Sequence, residues 1–180
     1  MTILIFGGAE VGKSSIASDL SEYKFFEFGG ADHTDIEVVK KELSGLIFCA
    51  QQGFELAIHV IRQGRITKMM SAEYKIVRHL LPNIRIVCVV THCEHNDPMI
   101  KWVQDNASHF SKCGLVYDAM VATCFGPLQG RMAHVFAELR CESAQHVRNC
   151  ISMNKSFSSS TSHDSRLIMK LVQDARNMEK

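Results

Sequence analysis

Ile3-Leu4-Ile5-Phe6-Gly7-Gly8-Ala9-Glu10-Val11-Gly12-Lys13-Ser14 decides how this chain is read. Four apolar residues suit a short buried strand, Gly7 to Ser14 fits the spacing G-x-x-x-x-G-K-[ST], and Ile16, Leu20 and Tyr23 follow at helical spacing. A loop between a strand and a helix with this spacing is built to hold phosphate. Its glycines let consecutive backbone N–H groups turn toward one anion. The reading therefore assigns Gly7, Gly8, Ala9, Glu10, Val11, Gly12, Lys13, Ser14 and Ser15 to a phosphate cradle. Lys13 is expected to reach the β- and γ-phosphates, and the Ser14 hydroxyl to hold Mg²⁺.

Outward from this loop, apolar runs and helical stripes alternate. Strands are expected near 2–6, 24–28, 54–61, 84–90 and 115–123, with helices near 13–23, 35–49, 70–81, 97–110 and 128–152. That order predicts an α/β fold with a doubly wound, mainly parallel sheet of about five strands, layered as the three-layer sandwich of a P-loop NTPase. Thr34-Asp35-Ile36-Glu37 reads as a capping box ahead of a stripe of Ile36, Val39, Leu43 and Leu46. Met70, Tyr74, Val77 and Leu81 form a second stripe, which Pro82 ends. Ile84 to Val90 is apolar at all but one position, as a strand covered on both faces should be.

The chain of 180 residues is long enough for one domain with a full core, and its net charge of +1 provides no basic surface for nucleic acid. No stretch approaches the ~20 apolar residues needed to span a bilayer, and no targeting segment is evident, so a cytoplasmic protein is expected. Seven cysteines without close pairs suit a reducing compartment. Residues 1–152 are assigned to the nucleotide-binding domain, the Ser-rich stretch 153–165 to a linker, and 166–180 to a short amphipathic C-terminal helix.

Two further stretches narrow the class. Val89-Val90-Thr91-His92-Cys93-Glu94-His95 follows the fourth strand, and Arg65-Ile66-Thr67 closes the segment after the third. Together with the loop they resemble the GIMAP-like GTPases, in which an Arg-Phe-Thr box precedes a helix and a Thr-His or Thr-Arg motif reads guanine. The resemblance covers roughly residues 2–150. It implies GTP or GDP as ligand with Mg²⁺, contacts to the base from Thr91, His92 and Glu94, and a last base-contacting loop at Thr123 and Cys124. It further implies a homodimer through the nucleotide face.

The departures from that family bear on turnover. The segment that carries the first switch is missing, and Glu27-Phe28-Gly29-Gly30 stands where Asp-Thr-Pro-Gly is expected. By the resemblance, Gly30 offers its N–H to the γ-phosphate and Glu27 holds Mg²⁺ through water, so Lys13, Ser14 and Gly30 form the catalytic set. Hydrolysis is expected to be slow or defective, leaving a nucleotide-dependent regulator or scaffold. The alternatives are a non-catalytic interaction module on the same fold, a small-molecule phosphotransferase, and a shortened product of a longer gene.

Other residues invite plainer readings. Cys88, His92, Cys93 and His95 lack the spacing of a zinc site. His59, inside an apolar strand, reads as a hydrogen-bonded core residue, Arg65 as solvated, and Trp102 as packing.

Overall fold

The computed structural model describes residues 1–29 and 36–156. Gly30, the Thr34–Glu37 capping box, most of the Ser-rich linker and the segment 166–180 therefore lie, wholly or in part, outside the described residues. Five strands form one sheet: β1 (Thr2–Phe6), β2 (Lys24–Phe28), β3 (Leu56–Arg62), β4 (Ile86–Thr91) and β5 (Ala119–Ala122). Between and after them run α1 (Lys13–Asp19), α2 (Ile36–Gln52), α3 (Lys68–Leu80), α4 (Lys101–Lys112) and α5 (Ala133–Asn154). The sheet order is β2-β1-β3-β4-β5 and every pairing is parallel. The protein is a doubly wound α/β fold.

Strand alternation sorts the core into two layers. Leu4, Phe6, Ile61, Ile86, Cys88 and Val90 pack with Leu46 of α2, Tyr74, Val77 and Leu80 of α3, and Val103 and Phe110 of α4. The intervening residues Ile3, Ile5, Ile58, Val60, Val87 and Val89 meet Ile16 of α1 and Val147 and Ile151 of α5. Helices on both faces explain why β4 is buried at every position and β3 at all but Arg62. Arg140 of α5 ties this second layer shut. Its guanidinium grips both carboxylate oxygens of Asp19 and donates to Gly126 O at 3.2 Å.

Element boundaries differ from the sequence reading for local reasons. The helix α3 begins two residues earlier than expected because the Thr67 hydroxyl accepts from Met70 N at 3.2 Å, capping the first turn. β5 is shorter than the apolar run 115–123. Its first residues are a connection in which Val116 is exposed and the Asp118 carboxylate accepts from Ile86 N at 2.8 Å. Helix α5 starts at Ala133 rather than 128, after a segment in which Leu128 and Met132 face solvent. No helix among the described residues is long and apolar enough to cross a membrane.

Ile58 lies at the centre of the sheet with no exposed surface. Replacing it with alanine removes three methyl or methylene groups from a packed layer and is expected to cost about 2–5 kcal/mol, measured as a shift in the urea-unfolding midpoint at unchanged slope.

Candidate functional site

The order of strands reverses between β1 and β3, and in open parallel sheets the crevice beyond the carboxyl ends of such strands is where ligands sit. A cleft of about 620 Å³ opens there. Its walls come from the loop after β1 (Ala9 to Ser15), the end of β2 (Glu27 and Gly29), the end of β4 (Thr91, His92 and Glu94) and the loop after β5 (Phe125 to Pro127).

Sterics shape the loop. Gly7 has φ 141°, and a Cβ there would lie 2.1 Å from Val60 O, so only glycine lets the chain leave β1 against the end of β3. Lys13 is buried, and its ammonium donates to Gly7 O and Gly8 O, both at 2.7 Å. The side chain thus folds back to brace the loop it follows. Burial lowers the Lys13 pKa, and the carboxylates of Glu73, Glu27 and Glu42 oppose that shift. Ser14, at the mouth, donates its hydroxyl to Glu27 Oε2 over a long 3.4 Å.

The β4 end is tied to the loop through Thr91. Its buried hydroxyl lies 2.8 Å from Val11 O and 3.2 Å from Ile61 O, joining the loop, β3 and β4 at one atom. His92 follows in a left-handed conformation, φ 62°, which turns the chain toward the cleft. Its Nδ1 lies 3.0 Å from Thr91 Oγ1. With that hydroxyl donating to a carbonyl, Nδ1 carries the ring proton and Nε2 is left as an acceptor. Burial lowers the His92 pKa, the Arg62 charge lowers it further, and Glu94 opposes both. A neutral imidazole and the Glu94 carboxylate therefore share this end of the cleft.

Thr123 and Cys124 do not line it. Thr123 is fully buried and donates from N and Oγ1 to Val90 O at 2.7 and 3.0 Å, while Cys124 N donates to Ser143 Oγ of α5 at 2.8 Å. The part of this loop that lines the cleft is Phe125, Gly126 and Pro127, a few residues on. The Gly-Pro pair after an apolar run was the available signal for a turn there. Arg65 is exposed, Ile66 packs on the core and Thr67 caps α3. Trp102 packs edge-on against Phe110, with ring centroids 5.9 Å apart. Cys88 and Cys93 are buried, and burial pushes the Cys93 thiol up to about 11. Phe28, too, is buried in the core.

Two features, the Gln63–Asn96 pair and Glu73, went unread in the sequence, whereas His59 is the hydrogen-bonded core residue its strand implied. Gln63, after β3, and Asn96, after the His92–Glu94 stretch, exchange reciprocal amide hydrogen bonds of 3.4 and 2.7 Å. Beneath the loop, His59 and Glu73 are buried in the apolar layer. The His59 ring stacks on Phe6 at 4.4 Å and its Nδ1 lies 2.8 Å from Tyr117 Oη. Glu73 stands three residues after Met70 on the inward stripe of α3, and an acidic residue on an apolar stripe was its signal.

No protein-family model matches this chain, and no curated protein does. Among solved structures, a mutation variant of SsGBP superimposes on 82% of this chain with a TM-score of 0.52 at 11% identity, and this chain spans 56% of that one. The Trp repressor binding protein from Bacillus subtilis is similar over 83% of this chain and 99% of its own, at 7% identity and a TM-score of 0.47. At such identities the likeness to SsGBP is one of fold.

Burial holds the His59 pKa down at about 3 from the ordinary 6.5, with the Lys13 charge adding to the effect. Below pH 6.5 the unfolded chain takes up a proton that the folded protein refuses, so this contribution is complete above 6.5 and is lost as pH falls toward 3. The unfolding free energy of the wild type, from urea titration, is expected to fall more steeply over that window than that of His59→Gln, by up to about 1.4 kcal/mol per pH unit.

Proposed function

We propose that this chain is a GIMAP-like guanine-nucleotide-binding protein that takes GTP or GDP with Mg²⁺ and turns over slowly, acting as a regulator or scaffold. The observation that carries the reading is Lys13, a cation with little exposure, braced on two carbonyls of its own glycine loop at the wall of a cleft of about 620 Å³. A cleft of that size suits a nucleotide. In this reading the loop N–H groups and Lys13 bind the phosphates, and the neutral His92 and Glu94 face the base. A guanine presents N–H donors that a carboxylate accepts. The Ser14 hydroxyl and Glu27 carboxylate, 3.4 Å apart, are hard oxygen donors of the kind Mg²⁺ takes together with water and phosphate. The ion would neutralise phosphate charge there. Slow turnover follows from the missing first switch and from Phe28, an apolar residue where the family carries a polar one.

The same strand order holds flavin mononucleotide in flavodoxin-like proteins, which makes that ligand the natural control. Calorimetric titration of nucleotide-stripped protein in Mg²⁺ is expected to give GTP and GDP binding, with ATP and FMN at least tenfold weaker, and a phosphate-release assay on the same sample to give slow release. Binding of FMN alone, or of none of the four, overturns the reading. Lys13→Ala removes charge-assisted hydrogen bonds to phosphate and is expected to weaken GTP binding about 10- to 100-fold. Unchanged affinity in a folded Lys13→Ala variant would remove the loop from the site.

A further inference from the structure

Phe125 enters the wall of the cleft from the loop after β5, and α5 holds it there. The Arg140 guanidinium lies over its ring, 6.0 Å from the centroid, and donates to Gly126 O at 3.2 Å. The same guanidinium grips both carboxylate oxygens of Asp19, so its charge is already matched and it serves as a strut. One turn earlier on α5, the Phe136 ring covers Gly126 so closely that a Cβ there would lie 2.3 Å from it. Two side chains of one helix thus clasp the loop. Phe125 packs part of its surface on the second core layer and keeps the rest toward the cleft. Among the described residues that line the cleft, it carries the one phenyl ring.

Accepting the nucleotide reading above, on which this rests, we infer that Phe125 is a specificity-determining residue, the platform on which the planar base of the nucleotide stacks. Position carries the inference. The glycine loop sits at the end of β1, whereas Phe125 follows β5, three strands along the sheet order. At the usual spacing of neighbouring strands that is about 14 Å, comparable to the length of an extended nucleoside diphosphate. A ligand anchored by its phosphates on the loop therefore brings its base past His92 and Glu94 to the Phe125 lip. A flat aromatic face gives a purine dispersion and quadrupole contacts that a polar wall does not. Stacking holds any base, so Phe125 selects a base-bearing ligand over bare phosphate and leaves the choice among bases to Glu94. A ring already held by Arg140 and Phe136 loses little freedom when the base arrives.

The test compares Phe125→Leu with the wild type, both nucleotide-stripped and in Mg²⁺, by calorimetric titration with GDP, GTP, pyrophosphate and tripolyphosphate. Leucine keeps an apolar side chain on the core and removes the flat face. It is expected to weaken GDP and GTP binding about tenfold and to change pyrophosphate and tripolyphosphate binding by less than about twofold. Phe125→Tyr, which keeps the ring, is expected to hold GDP affinity within about threefold of the wild type. Phe125→Met, flexible enough to fill the same space, takes the place of the leucine variant should that one fail to fold. Equal losses for nucleotides and bare phosphates, no loss at all, or a tyrosine variant as weak as the leucine one overturns the role of Phe125 and leaves the nucleotide reading standing. A wild type that binds none of the four ligands overturns both.

Discussion

A buried ammonium must find hydrogen-bond acceptors, and Lys13 finds them in Gly7 O and Gly8 O of its own loop. The rest of the site follows from that constraint. Gly7 can offer its carbonyl inward only because it lacks a Cβ where Val60 O stands. The carbonyl of Val11 is secured in turn by the Thr91 hydroxyl, which also meets Ile61 O. Loop, β3 and β4 are thereby fixed to one another before any ligand arrives. Such preorganisation lowers the entropy lost on binding, because the cradle has little freedom left to lose. A phosphate group entering this site would exchange with carbonyls that already hold the cation, so its affinity is the difference between two good sets of hydrogen bonds.

The features legible in the sequence were those encoded locally. The loop spacing from Gly7 to Ser14 sits at the end of β1, and Thr91, His92 and Glu94 line or border the cleft as their position after β4 implied. Parallel pairing could be expected from alternating strands and helices, but the order β2-β1-β3-β4-β5 depends on long-range packing that periodicity does not carry. The fifth strand shows the limit well. Leu115 to Thr123 reads as one apolar run, yet Val116 is exposed and the strand itself begins at Ala119. The cleft accordingly receives Phe125 to Pro127 in place of Thr123 and Cys124, which are held beneath it by Val90 and Ser143.

Buried polar residues were the harder part. His59 sits in a run of apolar strand residues that implied a core position, but its neutrality depends on burial beneath other elements and on the Lys13 charge. Glu73 carries meaning only once α3 is laid across the end of the sheet near Gly29. Helical spacing placed it on an inward stripe, but nothing in that spacing says which backbone it faces. The difference between a solvated carboxylate and one beneath a glycine loop is a tertiary fact.

The reciprocal amides of Gln63 and Asn96 join the chain after β3 to the turn after His92. Asn96 also holds the turn after His92 by donating to Cys93 O at 3.2 Å, so the geometry of the His92–Glu94 segment is set by uncharged groups. Neutral hydrogen bonds respond little to ionic strength, and a buried charge such as Lys13 is screened by salt far less than an exposed one. A rise in ionic strength therefore leaves the shape of this segment unchanged, since the hydrogen bonds that set it join uncharged groups.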